Sequence, residues 1–348
     1  PTAIVCPTIL LSPGSLLNGV AGSPYSQTFS ATPNSPTYTF GVTAGALPPG
    51  LTLNPNGVLS GTPTTAGTYN FTVTATGFGV CAVAQMYALV IDCPAITLLP
   101  NTVPGGTVGT AYNQTISANP SGTTYTFALT GGALPPGLSL DNSGLLSGSP
   151  TAAGNYSFTI TATGFGTCVS SITYTSVVVC PAITLAPPAS GTAGTAYSGT
   201  LSASPAGTYQ FSSADKPAWL NLASNGALSG TPPTAGIFNF NVTVTGFGSC
   251  SQTLAVTLTV ACPTLTVNPA TLSNANLGAA YRETLTATPG SGHSFSVTSG
   301  VLPNGLTLNA NGTLSGTPTT AGTFSFSVTA TAFGNCTGTQ AYSLTVTS

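Results

Sequence analysis

Hydrophobic and polar residues alternate along short stretches of the chain, with a period of two residues. In TYNFTVTAT (68–76), the side chains of Tyr69, Phe71 and Val73 fall on one face, and Asn and Thr side chains fall on the other. A period of two is the pattern of a β-strand with one buried face. YSQTFSA (25–31) shows the same alternation. The pattern therefore predicts an all-β protein.

Seven strands are predicted in the first part of the chain, and Gly, Pro or Asn residues bound them. They cover residues 8–12, 25–32, 37–43, 51–54, 57–60, 67–76 and 82–91. Short alternating strands with such turns predict an immunoglobulin-like β-sandwich. Pro48-Pro49-Gly50 is expected to form a turn, and Asn56-Gly57 a tight hairpin turn with positive φ.

This pattern occurs four times along the chain. The stretch LPPGLTLNPNGVLSGTP (47–63) has counterparts that begin at residues 134, 216 and 302, and the one at 216 is the most divergent. Cys-Pro opens each unit, at residues 6, 93, 180 and 262, so successive units are 87, 87 and 82 residues apart. We predict four tandem immunoglobulin-like domains without linkers, which favours a rod. Their predicted bounds are 1–92, 93–179, 180–261 and 262–348.

The eight cysteines follow the same repeat. In a sandwich of this type the chain enters at the end that carries the last hairpin turn, so the first and second cysteines of a unit can meet. Cys81 and Cys93 are separated by a whole strand and cannot meet. The predicted disulfides are Cys6–Cys81, Cys93–Cys168, Cys180–Cys250 and Cys262–Cys336.

Each predicted disulfide closes a long loop, and the chain-entropy model values it at about 4–5 kcal/mol. Such bonds indicate an oxidising compartment. Buried reduced thiols in a cytosolic protein are the alternative. A metal site is not expected, because the sequence contains no Cys-x-x-Cys motif and no Cys/His cluster.

Charge is almost absent from the chain. Of 348 residues, two are Lys or Arg, four are Asp or Glu and one is His, and the net charge is −2. No basic patch exists for nucleic acid or for an anionic membrane surface. Mean hydropathy is positive, at +0.37. Even so, the sequence contains no apolar run of about 18 residues that could span a membrane.

Groups that could carry chemistry are few and dispersed. The acids Asp92, Asp141, Asp215 and Glu283 fall in different units, so neither a pair of catalytic carboxylates nor a calcium cluster is expected. His293 lies in a predicted turn and is interpreted as a solvated loop residue rather than a general base. We expect no catalytic residue, no cofactor, no metal ligand and no enzymatic activity.

Trp219 is the one tryptophan, and it stands where the other units have Gly50, Gly137 and Gly305. We interpret it as a local core residue, with a contact to glycans as the alternative. N-glycosylation is left open at six N-x-S/T sites. These sites are Asn70, Asn113, Asn155, Asn241, Asn311 and Asn335.

Three motifs occur in each unit with small variations: G-x-x-Y-x-x-T-[FIL], LPPGL-x-L-x-x-x-G-x-L-x-G-x-P and AG-x-[YF]-x-F-x-[VI]-T. They resemble the tandem immunoglobulin-like (Ig) repeats of bacterial secreted proteins, which are related to cadherin-like domains of the dystroglycan type. The resemblance covers essentially the whole chain and implies extracellular β-sandwiches without catalytic residues. The scarcity of charge and the cysteine pair in each unit depart from that family pattern.

Two functions fit these observations. An uncharged surface with strand edges that lack lysine favours self-association. The first hypothesis is therefore a structural subunit of an extracellular filament, sheath or surface layer, formed by copies of the chain. Residues 1–5 (PTAIV) could add a strand to a neighbouring copy. The alternative is an adhesin stalk or a carbohydrate-binding array on a bacterial surface.

Overall fold

The computed structural model describes residues 5–34, 38–248 and 250–348. Within these ranges the chain forms strands and turns and contains no helix, as the alternation predicts. It divides into two compact units, residues 1–180 and 181–348, each with two of the four repeats. Residues 1–4 of the PTAIV segment and the first residue of the predicted strand 37–43 lie outside the described residues.

The first unit contains two repeats of nine strands each. The first repeat has β1 (Leu10–Ser12), β2 (Gly19–Val20), β3 (Tyr25–Thr28), β4 (Ser30–Thr32), β5 (Thr39–Gly45), β6 (Leu51–Leu53), β7 (Val58–Gly61), β8 (Gly67–Gly77) and β9 (Cys81–Asp92). The second has β10 (Thr97–Leu99), β11 (Gly106–Thr107), β12 (Tyr112–Thr115), β13 (Ser117–Asn119), β14 (Thr126–Gly132), β15 (Leu138–Leu140), β16 (Leu145–Gly148), β17 (Gly154–Gly164) and β18 (Cys168–Val179).

The second unit repeats this arrangement. The third repeat has β19 (Thr184–Leu185), β20 (Gly191–Thr192), β21 (Tyr197–Thr200), β22 (Ala203–Ser204), β23 (Tyr209–Ser212), β24 (Leu220–Leu222), β25 (Ala227–Gly230), β26 (Gly236–Gly246) and β27 (Cys250–Ala261). The fourth has β28 (Thr266–Asn268), β29 (Ala275–Asn276), β30 (Tyr281–Thr284), β31 (Thr286–Thr288), β32 (Ser294–Gly300), β33 (Leu306–Leu308), β34 (Thr313–Gly316), β35 (Gly322–Ala332) and β36 (Cys336–Thr347).

Every repeat is a sandwich with the same strand order. In the first repeat, one sheet has the order β2-β9-β8-β5, the other has the order β3-β7-β6, and β1 pairs with β4. The short β2 runs parallel to β9, and the other pairs are antiparallel. The corresponding strands of the other three repeats pair in the same order. The immunoglobulin-like sandwich expected from the sequence is therefore confirmed.

The alternating pattern fills the core as predicted. On β8, Phe71, Val73 and Ala75 are buried, and the threonines between them lie on the outer face. Hydroxyl groups of this outer face bond across strands. In the second repeat, Oγ1 of Thr161 lies 2.7 Å from the hydroxyl oxygens of both Thr130 and Ser171. One face of each long strand thus supplies apolar packing, and the other supplies an uncharged hydroxyl surface.

Two features of the sheets were not predicted. The strand expected at 25–32 is divided into β3 and β4 at Phe29, whose buried side chain enters the core and whose N–H bonds to the carbonyl oxygen of Gly57 at 2.8 Å. The parallel strand β2 was missed, because two residues are too few to show a period.

The turns of the quoted motif are only partly as expected. Pro48-Pro49-Gly50 forms the predicted turn, closed by a bond from the Leu51 N–H to the Pro48 carbonyl at 3.0 Å. At the hairpin, only Gly57 has positive φ, at 94°, and Asn56 does not. The Gly57 N–H bonds to the Asn54 carbonyl at 2.9 Å, which indicates a type I turn followed by a left-handed glycine.

The disulfides follow the predicted pairing. The Cα atoms of Cys6 and Cys81 are 5.5 Å apart, those of Cys93 and Cys168 are 5.6 Å apart, and those of Cys262 and Cys336 are 5.3 Å apart. Cys180 and Cys250 are also disulfide-bonded, so each repeat has one disulfide. The second cysteine of each pair is the first residue of the last long strand.

We expect the double substitution of Cys93→Ala and Cys168→Ala to lower the free energy of unfolding of the second repeat by about 3–5 kcal/mol, because a long loop is no longer closed in the unfolded chain. Calorimetry of the full chain should show one transition that moves to lower temperature. The matched control is Ser170→Ala on the same strand, which should leave that transition in place. An unchanged transition in the double variant would show that the disulfide adds no stability.

Candidate functional site

The turn that joins the two longest strands of each repeat carries a phenylalanine in the left-handed backbone conformation. Its φ is 48° at Phe78, 46° at Phe165, 47° at Phe247 and 50° at Phe333. This conformation is uncommon for a residue other than glycine. Because this conformation recurs at the same position in four repeats, it is a regular feature of the turn. We call these four residues the aromatic tips.

Each of the first three tips packs against a tyrosine of its own repeat. The ring centroids of Tyr38 and Phe78 are 5.9 Å apart with an interplanar angle of 86°, and those of Tyr125 and Phe165 are 6.1 Å apart at 81°. The third pair is Tyr209 and Phe247, at 5.7 Å and 85°. Edge-to-face packing of this kind fixes the direction of the tip.

His293 takes the position of this tyrosine in the fourth repeat. The hydroxyls of Tyr38 and Tyr125 donate to the carbonyl oxygens of Pro33 and Pro120. In the same way, Nε2 of His293 lies 3.1 Å from the carbonyl oxygen of Pro289. The ring is half-buried rather than fully solvated, and its contact is with its own loop. This contact gives His293 a structural role in its turn.

In the first unit, the tip of the second repeat is seated on the first repeat. The Phe165 side chain is completely buried, and its carbonyl oxygen accepts a hydrogen bond from the Ala66 N–H at 3.0 Å. A Cβ atom at Gly22 would lie 2.8 Å from Cε1 of Phe165, and one at Gly166 would lie 2.6 Å from Cγ2 of Thr65. Only glycine allows so close an approach at these positions.

The second unit contains the same contact between the third and fourth repeats. The Phe333 carbonyl oxygen accepts a hydrogen bond from the Ala235 N–H at 3.0 Å. A Cβ atom at Gly194 would lie 2.4 Å from Cε1 of Phe333, which packs against the core of the third repeat. The two junctions thus share one arrangement. The ring of the tip covers a glycine, and the carbonyl oxygen of the tip accepts a hydrogen bond from an alanine N–H.

The alternation and the cysteine spacing do not predict this junction. The Gly-Phe-Gly or Ala-Phe-Gly triplet before the second cysteine of each repeat was the available signal. An exposed turn usually carries polar residues, so an aromatic residue that recurs there indicates a contact.

Trp219 packs inside the third repeat. Its ring lies edge-to-face with Tyr197 at 6.4 Å and with Phe238 at 5.5 Å, and its indole Nε1 is buried without a hydrogen-bond partner. The counterpart Gly50 has a φ of 90°, whereas Trp219 is not among the described residues with positive φ. The contact of Trp219 with glycans stays a hypothesis.

The acidic residues are used in local hydrogen bonds. The Asp215 carboxylate accepts hydrogen bonds from the N–H of Asn241 at 2.9 Å and from its side-chain amide at 2.8 Å, and these bonds lower the pKa of Asp215. Asp141 accepts bonds from the Ser143 hydroxyl at 2.7 Å and the Leu145 N–H at 2.9 Å, which lower its pKa.

In the part of the chain that the structure describes, no group of three or more His, Cys, Asp or Glu side chains could hold a metal ion. The same part contains no helix with the length and hydropathy needed to cross a membrane.

The chain belongs to the family described as "Putative Ig domain", whose model matches residues 7–92, 95–179, 181–261 and 263–347. No curated protein matches the chain.

Three solved structures of tandem domains are similar to this chain. Cadherin domains 3–6 of protocadherin gamma B2 are 15% identical, with coverage of 98% of this chain and 100% of that chain and a TM-score of 0.23. Insect hemolin is 14% identical, with coverage of 97% and 99% and a TM-score of 0.28. Drosophila N-cadherin domains EC1–3 are 14% identical, with coverage of 66% and 90% and a TM-score of 0.29. At these scores the structures carry no argument about function.

We expect Trp219→Ala to lower the free energy of unfolding of the third repeat by about 2–4 kcal/mol, because Tyr197 and Phe238 lose an aromatic neighbour. Trp219→Phe should keep most of that stability and is the matched control. Denaturant unfolding of the full chain measures both. Equal stability of the alanine variant and the unmodified chain would rule out this packing role.

We expect stability to be nearly flat with pH between about 4 and 10, because few groups titrate there. The lowered pKa values of Asp141 and Asp215 add stability above the usual pKa of Asp, and this stability is lost as the pH falls through their folded pKa values.

On the alkaline side, burial, followed by the Glu283 charge, raises the pKa of Tyr281 to about 12. Burial also raises the pKa values of Tyr87, Tyr174 and Tyr342.

A raised tyrosine pKa stabilises the folded chain fully below pH 10, and this contribution is lost as the pH rises towards 12. Melting temperatures across this range should therefore fall on the alkaline side together with tyrosinate absorbance. A fall of tens of degrees between pH 7 and pH 4 would contradict the expectation.

Proposed function

We propose that the chain is a structural subunit of an extracellular filament, sheath or surface layer, which assembles from copies of itself. The observation that carries the proposal is an uncharged exposed strand edge in every repeat. The disulfides support an extracellular place of action, because such bonds persist in oxidising compartments. The Ig-like repeats support a role in which the surface of the chain makes contacts with other molecules.

One exposed edge of each repeat is the last strand of the four-stranded sheet; these strands are β5, β14, β23 and β32. Their sequences are TFGVTAG, TFALTGG, YQFS and SFSVTSG, and none contains a charged residue. Soluble proteins usually protect such edges with lysine or another charge, since unpaired backbone groups can bond to a strand of another molecule. The four edge strands themselves lack that protection, although in the third repeat Asp215 follows β23 and accepts a hydrogen bond from the Asn241 N–H of β26 at 2.9 Å.

A β-bulge limits how much of the edge can pair in three repeats, and β23, the edge of the third repeat, has only four residues. The register shifts between Val42 and Ala44, between Leu129 and Gly131, and between Val297 and Ser299. Bulges increase the local twist and direct the strand away from a partner. Only the stretch before the bulge, such as Thr39–Val42, is regular. Side-by-side pairing is therefore expected to be short in each repeat, and a filament needs a further contact.

The uncharged face adds to this tendency. Threonine hydroxyls on the outer face bond to each other, as between Thr298 and Thr329 at 2.8 Å and between Thr329 and Thr339 at 2.8 Å. Hydroxyl groups that already have partners need less water, so removing water from this face costs less than it would for charged side chains. A net charge of only −2 also gives little repulsion between copies.

The test is electron microscopy of the purified chain with and without charges on the edges. We expect regular fibres from the unmodified chain, and fewer fibres or thinner bundles from the double variant of Val42→Lys and Leu129→Lys. The matched control is Met86→Lys with Val169→Lys, which adds the same charge at exposed positions of β9 and β18, away from the tested edges β5 and β14. Isolated molecules under all conditions would overturn the proposal and favour the adhesin stalk.

A further inference from the structure

Every repeat contains the same local arrangement that contacts an aromatic tip at the two junctions. At this surface, a glycine N–H bonds to the carbonyl oxygen of a proline: Gly22 to Pro63, Gly109 to Pro150, Gly194 to Pro232 and Gly278 to Pro318, at 2.7, 2.8, 2.8 and 3.0 Å. We call this glycine, with the alanine that follows the proline by three residues, the tip acceptor. The acceptors of the first and third repeats are filled by Phe165 and Phe333.

The tip of the first repeat is uncovered. Phe78 is 40% exposed, whereas its counterpart Phe165 is 0% exposed. Val80, two residues further, is 72% exposed, and a Cβ atom at Gly79 would meet no atom within 4 Å. Phe78 nevertheless has the left-handed backbone and the tyrosine contact of the other tips. Its direction is thus set by contacts within its own repeat.

The acceptor of the fourth repeat is uncovered as well. A Cβ atom at Gly278 would meet nothing within 4 Å, and Ala321 is exposed, whereas the corresponding Ala66 and Ala235 are half-buried. Leu277 is 43% exposed, although its counterparts Ala21 and Ala193 are 0% and 1% exposed. An apolar surface of the kind that receives a tip is therefore open at this repeat.

We propose that the Phe78 tip of one copy docks on the tip acceptor of the fourth repeat in a second copy. The contact would reproduce the two junctions within the chain, with the Phe78 ring over Gly278 and its carbonyl oxygen on the Ala321 N–H. Phe78, Gly278 and Ala321 are uncharged, so these contacts do not remove water from a charged side chain. This inference rests on the proposed self-assembly and supplies its end-to-end contact.

The two surfaces are different, so the contact is head-to-tail. A head-to-tail contact that does not close into a ring produces an open chain of subunits. The occupant is a second copy because the tip and the acceptor already recognise each other in this sequence, twice. The uncharged strand edges favour short side-by-side pairing, and the tip contact would add growth in length.

The experiment uses two variants of the full chain, each with one blocked end. Phe78→Asn removes the ring, and asparagine tolerates the left-handed conformation. Gly278→Asn keeps the left-handed backbone and places a side chain where the ring would lie. Matched controls are Met86→Asn, exposed in the first repeat, and Gly292→Asn, a left-handed glycine of the fourth repeat whose added Cβ atom would also meet nothing within 4 Å.

Sedimentation and electron microscopy give the readout. Each blocked variant should show end-to-end association weakened roughly ten- to hundredfold, as expected for the loss of one buried aromatic contact, while both controls behave as the unmodified chain. A mixture of the two blocked variants should form pairs and stop there, because one intact tip and one intact acceptor remain. Side-by-side association alone does not produce this result.

The outcomes separate this contact from the proposed function. Fibres of unchanged length from both blocked variants would overturn the tip contact and leave the structural role standing. An unmodified chain that stays monomeric would overturn both. Circular dichroism melting of each variant checks that its repeat is folded.

Discussion

The pairing of the two longest strands constrains most of each repeat. In the first repeat, β8 and β9 are joined residue by residue from Gly67 and Ile91 to Gly77 and Cys81. This register fixes which side chains enter the core and which hydroxyls face outwards. It also places the second cysteine beside the chain entry and carries the aromatic tip beyond the end of the sheet. The position of the disulfide, the set of core side chains and the position of the aromatic tip therefore all follow from this strand pairing.

The scarcity of charge changes which forces hold the molecule. Burial of apolar side chains and the disulfides supply the stability, and the acids serve as hydrogen-bond acceptors for nearby backbone and side-chain groups, as Asp215 does for Asn241. The same scarcity leaves the surface without the repulsion that keeps most soluble proteins apart. The proposed self-association relies on this lack of repulsion, whereas stability relies on apolar burial and the disulfides.

Much of the fold could be predicted, because strand alternation and cysteine spacing repeat four times in the sequence. The junctions could not, for two physical reasons. A left-handed backbone at Phe78 or Phe165 is not indicated by the residue type, since phenylalanine rarely adopts it. The partner of a tip also lies in another repeat, where no local pattern identifies it. For Trp219, the core position could be predicted but the backbone could not, because Trp219 lacks the positive φ of the glycines at the same position in the other repeats.

The connectivity of the disulfides has a mechanical consequence. In the first repeat, a pull between the entry at Cys6 and the exit at Asp92 passes through the Cys6–Cys81 bond and then along β9. The residues between the two cysteines are bypassed. Since β9 is already extended at about 3.3 Å per residue, a repeat whose sandwich is disrupted can lengthen very little. The bonds therefore make each repeat an almost inextensible link, whose length under load is set covalently.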